Sequence, residues 1–202
     1  MISEYREMKL TDNKIINIET EYIYYLSEGT AQLWELHSDG EQVLINVLKP
    51  DDAIRMPHVK FESVYELRTN AKETNFFIYK WSPVKSIEEK YFLLNKVTTT
   101  FMRTETLNLI KRQKFVRDRL VSLFCFLVEE YGEKHGKNHF IIKELFTHEQ
   151  LASLVLSTRT TVTRILNELK KENIITYLNG YICLNDNVTE DIYDADQSLE
   201  VV

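Results

Sequence analysis

The residues with the most informative chemistry lie between 158 and 167, where polar side chains share one face of a predicted helix. These side chains belong to Arg159, Thr160, Thr163, Arg164 and Asn167. An arginine can bind guanine through two hydrogen bonds, worth roughly 1–3 kcal/mol of base discrimination, whereas threonine discriminates less sharply. We therefore predict that Arg159 and Arg164 read base edges in duplex DNA. Thr158 and His148, near the starts of this helix and the preceding one, complete the predicted DNA-contacting set.

Capping signals predict the two helices that position this face. Thr147 and Gln150 form a T-H-E-Q capping box at the start of the first helix. Ser157 and Thr158 offer a cap for the second. On the opposite side of the second helix, apolar residues recur at helical spacing: Val162, Ile165, Leu166 and Leu169. The sequence thus predicts two short packed helices joined by a tight turn.

A β-hairpin is predicted after the second helix. Residues 174–178 and 181–184 are β-prone runs, and Asn179-Gly180 between them is a strong signal for a type I′ turn. Two helices followed by such a hairpin predict a winged helix-turn-helix. An ordinary helical hairpin with two solvated arginines is the alternative. The order of capping box, second cap, arginine face and hairpin favours the DNA-binding interpretation.

Composition limits the classes of protein. The formal net charge of −6 argues against a protein that coats nucleic acid nonspecifically, because that affinity comes from neutralising phosphates. The longest apolar run, 123–128, is far shorter than the roughly 20 residues of a membrane span, and no signal-peptide pattern opens the chain. We expect a cytoplasmic protein without a membrane partner. Two cysteines cannot hold an iron–sulfur cluster, and the histidines lack ligand spacing, so we expect neither that cluster, heme nor a metal.

The rest of the chain predicts a β-rich half and a long helix. Short β-prone runs separated by turns predict an all-β sandwich or roll: 15–18, 22–26, 30–36, 42–48 and 75–79. Residues 83–113 have helical periodicity, and a further helix is predicted at 117–131. The fold class is α+β, with a β-roll at 1–82, a central helix at 83–113, the winged helix-turn-helix at 114–186 and an acidic tail at 187–202.

This layout resembles that of the Crp/Fnr family, the catabolite activator and fumarate-nitrate reduction regulators. Three runs look like its cyanobacterial and plastid nitrogen-regulator branch: R-T-E-T-L at 103–107, R-L-V-S at 119–122 and S-T-R-T-T-V-T-R-I-L at 157–166. The resemblance implies a homodimer paired through helix 83–113, acting on a pseudo-palindromic site with half-sites about one DNA turn apart. Arg159 and Arg164 match the family's base-contacting arginines, while Thr160 replaces its usual glutamate. The resemblance also implies RNA polymerase as a partner. It implies a location in a bacterial cytoplasm or a plastid stroma.

The resemblance also suggests where an effector would bind. The family's cyclic-nucleotide cassette is absent from 50–64, so no cyclic nucleotide is expected. In the nitrogen-regulator branch, 2-oxoglutarate is held by loop amides, arginines and a helix glutamate. Glu105 matches that glutamate, but Thr100 stands at the position of the helix arginine. Arg55, Arg68 and Arg103 are candidate replacement cations.

Two other functional hypotheses remain from the sequence. One is a ligand-independent regulator with a degenerate β-roll. The other is a cupin-type β-roll enzyme, but no histidines and carboxylate occur at metal-ligand spacing on the predicted strands, and no phosphate loop or nucleophile elbow is present. We therefore expect a protein that is not an enzyme.

Overall fold

The structure is a computed structural model that describes residues 5–11, 13–57, 63–69, 72–82, 86–135, 139–142 and 146–185. It divides into two compact units, Met1–Asn108 and Leu109–Val202. The predicted acidic tail at 187–202 lies outside the described residues. None of the helices described is long and apolar enough to cross a membrane.

Strands dominate the first unit. They are β1 (Tyr5–Thr11), β2 (Ile15–Asn17), β3 (Tyr22–Glu28), β4 (Ala31–Leu36), β5 (Gln42–Leu48), β6 (Ala53–Ile54), β7 (Val64–Thr69) and β8 (Glu73–Lys80). They form two antiparallel four-stranded sheets, in the orders β1-β8-β3-β6 and β2-β7-β4-β5. Alternate residues of β8 point inward, so Phe76 and Ile78 join Leu26, Leu33 and Leu67 in a shared core. The predicted β-rich half is confirmed.

The structure adds three strands to those predicted: β1, β6 and β7. Strand β7 has the sequence V-Y-E-L-R-T, whose charged residues obscured its period-2 pattern. In the fold, Arg68 pairs with Glu66 at 3.0 Å and lies 4.6 Å from the centre of the Trp34 ring. These contacts give the charged side chains on this face of the strand partners within the sheet. Arg68 is therefore engaged within the sheet, although the sequence suggested it as a cation for an effector.

A long helix, α1 (Ile87–Lys111), follows the strands. The prediction started it at 83, and residues 83–85 lie outside those described. Within the first unit, Leu93 is fully buried with Ile23 and Ala53 of the strands. The opposite side of α1 exposes large apolar side chains, which belong to Ile87, Tyr91, Leu94 and Phe101. The helix therefore has one face packed on the roll and another that is exposed among the described residues.

The second unit contains the remaining elements. These are α2 (Val116–Tyr131), β9 (Gly132–Lys134), β10 (His139–Ile142), α3 (His148–Leu154), α4 (Arg159–Lys171), β11 (Ile175–Leu178) and β12 (Tyr181–Asn185). Its strands form one antiparallel sheet in the order β11-β12-β10-β9. The helix predicted at 117–131 is confirmed to within one residue, and the α+β class is confirmed as a whole.

Candidate nucleic-acid interface

Helix α3 begins at the capping box predicted from the sequence. The Thr147 hydroxyl accepts a hydrogen bond from the Gln150 backbone N–H at 3.1 Å, and the Thr147 N–H donates to Gln150 Oε1 at 2.9 Å. Two backbone N–H groups that the helix cannot satisfy are thereby paired. The start of the first helix of the motif is therefore well defined.

The turn between α3 and α4 is a Schellman motif. The Leu156 N–H donates to Ser153 O at 3.2 Å, and the Ser157 N–H donates to Ala152 O at 2.9 Å. Leu156 has φ of 49°, a left-handed conformation that usually requires glycine or asparagine. Its side chain is exposed, so the turn accepts a strained leucine without burying it.

Helix α4 presents one apolar and one polar face. Val162, Ile165, Leu166 and Leu169 are buried, as predicted. At its start, the Thr158 hydroxyl accepts from the Thr161 N–H at 3.2 Å, which identifies Thr158 as the N-cap. The cap orients the first turn of α4, where Arg159 and Thr160 lie. In helix-turn-helix proteins the first turn of the second helix is the part that meets base edges, so the predicted contact of Arg159 and Thr160 with DNA would depend on this cap.

The polar face of α4 forms a shallow surface depression of about 550 Å³. It is lined by all five residues singled out from the sequence: Arg159, Thr160, Thr163, Arg164 and Asn167. The side chains of the two arginines differ in their contacts. Arg164 Nη1 donates to Glu168 Oε1 at 2.6 Å, one helical turn away, whereas Arg159 has no ion-pair partner among the described residues.

Two of the predicted DNA-contacting residues contact each other across the motif. His148 Nδ1 lies 2.8 Å from Thr163 Oγ1, which also donates to Arg159 O at 2.8 Å. Because that second bond uses the only hydroxyl proton, His148 is the donor through Nδ1–H. This pair links α3 to α4, so the Thr163 hydroxyl is already used within the protein. Among the predicted residues of α4, Arg159, Thr160, Arg164 and Asn167 are exposed, whereas Thr163 is half-buried.

The hairpin has the geometry predicted for the wing. Asn179 and Gly180 have φ of 51° and 87°, and Leu178 pairs with Tyr181 across them. Two positive φ values in a two-residue loop define a type I′ turn. Lys170 Nζ, at the end of α4, lies 5.8 Å from the centre of the Tyr177 ring on β11. Sequence reasoning did not single out these two residues, which place a cation and an aromatic ring beside the wing.

Arg119 on α2 is the other residue whose role the sequence did not reveal. Its Nε donates to Gln113 O at 2.7 Å, and its Nη1 donates to Val155 O at 3.0 Å and Leu156 O at 3.3 Å. The last two carbonyls belong to the turn between α3 and α4. One half-buried guanidinium therefore joins the segment after α1 to the turn that sets the angle between the two helices.

The residues suggested for an effector lie in the first unit, and the structure brings only some of them together. Arg103 and Thr100 face the roll, where both contact Asp52. Glu105 lies about 200° around the helix from Arg103 and accepts a hydrogen bond from Asn108 Nδ2 at 3.0 Å. Arg55 is exposed, and its guanidinium lies 5.4 Å from the centre of the Trp81 ring.

Neither cysteine has the environment of a reactive thiol. Burial raises the pKa of Cys125 to about 11, with a smaller contribution from the charge of Glu129. Burial also raises the pKa of Cys183. Both thiols thus stay protonated near neutral pH. Within the described part of the chain, no three His, Cys, Asp or Glu side chains are grouped closely enough to hold a metal ion.

We expect Thr147→Ala to lower the free energy of unfolding by about 1 kcal/mol, because it removes the side-chain half of the capping box. Far-UV circular dichroism during denaturant unfolding would measure the change. Thr160→Ala is the matched control, since Thr160 is exposed inside a helix and caps nothing. Alanine is the better helix former there, so that variant should be neutral or slightly more stable. Equal losses in the two variants would contradict the capping assignment.

Helix α3, the turn, helix α4 and the hairpin define the second unit as a winged helix-turn-helix. Residues 118–187 match the Crp-like helix-turn-helix domain family. The ycf28 protein of Porphyra purpurea is 24% identical over 92% of this chain and 81% of its own length. The global nitrogen regulator of Nostoc is 22% identical over 84% of this chain and 79% of its own length.

A solved structure extends the likeness to both units. A transcriptional regulator of the CRP/FNR family from Thermus thermophilus superposes with a TM-score of 0.70 at 16% identity, over 95% of this chain and 98% of that one. At such low identity the likeness shows the fold. The helix-turn-helix domain of this chain thus matches a Crp-like family, and the fold and the relatives resemble those of Crp/Fnr regulators.

Proposed function

We propose that this protein is a sequence-specific DNA-binding transcription regulator rather than an enzyme. The observation that carries the proposal is the polar face of α4, where Arg159, Thr160, Arg164 and Asn167 are exposed together on a capped helix. A helix of this kind fits the major groove, and its arginines match the acceptors of guanine. The relatives bear the names of transcription regulators, among them global nitrogen regulators, which supports a role in nitrogen control.

The regulator acts as a homodimer paired through α1. Ile87 is 76% exposed, Tyr91 is 75% exposed and Phe101 is 57% exposed, and with Leu94 they form a stripe along one side of the helix. A contiguous exposed apolar stripe of large side chains marks a site of interaction with a partner. A second copy of α1 offers the matching surface, since a two-fold interface uses the same patch on both chains. Two recognition helices then bind the halves of a pseudo-palindrome.

We expect the double variant Leu94→Glu, Phe101→Glu to be monomeric, because each new carboxylate would be buried without a partner in the dimer. The dimer dissociation constant should rise by about 100-fold or more, measured by analytical ultracentrifugation. Thr99→Glu is the control, because Thr99 is exposed on α1 but lies about 120° from the stripe. A dimer that tolerates both substitutions would contradict pairing through this face.

Two modes of regulation are compatible with this function. One is control by a small effector such as 2-oxoglutarate, held near Glu105, Thr100, Arg103 and Arg55. The other is regulation without a dissociable effector. The second is favoured by one observation, because Arg103 and Thr100 already contact the carboxylate of Asp52. In both modes the protein works where its DNA and RNA polymerase are, in a bacterial cytoplasm or a plastid stroma.

Selection of bound duplexes from a random library, at fixed salt, tests the function directly. The purified protein is used with and without 2-oxoglutarate, and the enriched sequences are read. Enrichment of a pseudo-palindrome in both conditions supports a regulator without this effector, and enrichment only with 2-oxoglutarate supports the effector. The absence of enrichment in either condition contradicts sequence-specific binding. Fixed salt is essential, because phosphate contacts make every affinity depend on it.

A further inference from the structure

Asp52 is a buried carboxylate at the turn between β5 and β6, with only 4% of its surface exposed. Arg103 Nη1 contacts both of its oxygens, at 2.5 Å and 2.6 Å. The Lys49 backbone N–H donates to Oδ2 at 2.8 Å. The Thr100 hydroxyl shares its one proton between Asp52 Oδ1, at 3.1 Å, and Lys96 O, at 3.0 Å. A cation, a backbone amide and a hydroxyl around one carboxylate are the groups from which proteins build carboxylate-binding sites.

The same contacts join the roll to α1. Thr100 Oγ1 also accepts a hydrogen bond from the Ala53 N–H at 3.0 Å, next to Asp52 in the chain. One turn further along α1, Asn46 Nδ2 of β5 donates to Thr104 Oγ1 at 2.8 Å. Thr100 is 2% exposed and Arg103 is 9% exposed. Thr100, Arg103 and Thr104 of α1 therefore all contact polar groups of the roll.

We propose that Asp52 is an intramolecular ligand, which fills a carboxylate-binding site made by Arg103, Thr100 and the Lys49 amide. In this arrangement the contact between roll and helix forms without a dissociable anion. Its consequence for DNA binding rests on the proposed function: the regulator binds its site without a small carboxylate effector. The existence of the site itself does not depend on that function.

The cavity beside this site has a different character. It has a volume of about 330 Å³, and Leu33, Ile45, Ile54 and Val97 contribute to its mainly apolar lining. Among the described residues that line it, Arg55 is the only charged one. A dicarboxylate such as 2-oxoglutarate needs two separate cationic or amide-rich ends. Among the residues that the structure describes around this cavity, the carboxylate position with a cation and a backbone amide is the one that Asp52 occupies.

Asp52→Ala removes the side-chain carboxylate and leaves space for formate, a small anion that carries the same carboxylate group. The variant should lose about 6–20 °C in Tm, because the Arg103 charge stays buried without its partner. Formate should restore half or more of that loss in Asp52→Ala and should add nothing to the wild-type protein beyond the effect of chloride at equal ionic strength. In the double variant Asp52→Ala, Arg103→Met, the formate effect should disappear.

Two further variants separate the site from general charge effects. Asp51→Asn is the matched control, since the neighbouring Asp51 is exposed and asparagine tolerates its φ of 79°. Formate should act on it as chloride does. Asp52→Asn keeps the shape of the side chain and fills the site, so formate should not stabilise this variant. It can still be measured if Asp52→Ala does not fold. A formate effect no larger than that of chloride in Asp52→Ala, or a rescue of Asp52→Asn, would overturn the proposal.

DNA binding tests the functional consequence separately. On a duplex from the library selection, wild-type protein should bind equally well with and without 2-oxoglutarate. Asp52→Ala should bind about tenfold more weakly or worse, and formate should restore its affinity. A wild-type protein that needs 2-oxoglutarate overturns the inference that the effector is internal. If no variant selects any duplex, the proposed function fails, while the thermal measurements still decide whether Asp52 fills a carboxylate site.

Discussion

Replacement of both Arg159 and Arg164 by alanine is expected to remove sequence-specific DNA binding while the protein stays folded. Each arginine that binds a guanine contributes roughly 1–3 kcal/mol to discrimination. Together they contribute about 2–6 kcal/mol, so the affinity for the preferred duplex should fall by about 30-fold to about 20,000-fold. Both side chains are exposed, and surface substitutions change stability by only about 0.5 kcal/mol.

The two arginines should not contribute equally. Arg164 pairs with Glu168 at 2.6 Å, and the two side chains are 64% and 42% exposed. An exposed pair of this kind is worth about 0–1 kcal/mol, which is less than one bidentate contact with guanine. Arg164 can therefore exchange Glu168 for a base at a small net cost. We expect Arg159→Ala to be the more damaging single change, by up to about 1 kcal/mol.

Fluorescence anisotropy with the selected duplex and with a scrambled one, at fixed salt, measures this prediction. Lys171→Ala is the matched control, because Lys171 is an exposed cation at the far end of the same helix. Loss of its charge should weaken binding to both duplexes alike, since a phosphate contact carries no sequence information. If the double arginine variant discriminates between the duplexes as well as the wild type does, Arg159 and Arg164 do not read bases.

Local signals explain why much of the helix-turn-helix could be predicted from the sequence. Thr147 and Gln150 pair with each other over three residues. Asn179 and Gly180 both tolerate the positive φ values that a type I′ hairpin turn requires. The same reasoning could not find Leu156, because a leucine in a left-handed turn contradicts its intrinsic preference. The surrounding hydrogen bonds and packing impose that conformation, and they are formed only in the folded unit.

Contacts between distant residues explain the rest. Arg103 was suggested as a cation for an effector, but its partner Asp52 is 51 positions away, and no pattern of spacing reveals such a pair. For the same reason the sequence could not assign a role to Arg119, which contacts carbonyls 36 and 37 positions further along. Periodicity predicts which face of an element is buried. It does not predict which two buried polar groups form a hydrogen bond or an ion pair.

Arg119→Ala is expected to lower the free energy of unfolding of the second unit by about 2–3 kcal/mol. Hydrogen bonds to a charged group are worth about 1.5–3 kcal/mol, and this guanidinium serves the carbonyls of Gln113, Val155 and Leu156. The last two lie at the C-terminal end of α3, where a cation also interacts favourably with the helix dipole. Arg119→Lys should recover only part of the loss, because an ammonium lacks the planar fork that reaches several carbonyls at once.

Arg117→Ala is the matched control, two residues earlier on the same helix. Arg117 pairs with Glu172, and both side chains are substantially exposed, so its loss should cost less than about 1 kcal/mol. Denaturant unfolding followed by circular dichroism measures both variants, and hydrogen exchange of the α3 and α4 amides localises the effect. Arg119→Ala should accelerate exchange in the turn at 155–157 most strongly. Equal stability of the two variants would mean that the turn holds its angle without Arg119.

Because that turn sets the orientation of α4, Arg119→Ala should also weaken specific DNA binding under conditions where the protein is still folded. The base contacts predicted for Arg159 and Arg164 would need α4 at a defined angle in the groove, whereas phosphate contacts tolerate a range of angles. The affinity for the selected duplex should therefore fall more than the affinity for the scrambled one. If the affinities for both duplexes fall equally, Arg119 contributes to stability alone. The orientation of α4 would then be set by the packing of Leu166 and Leu169 beneath it.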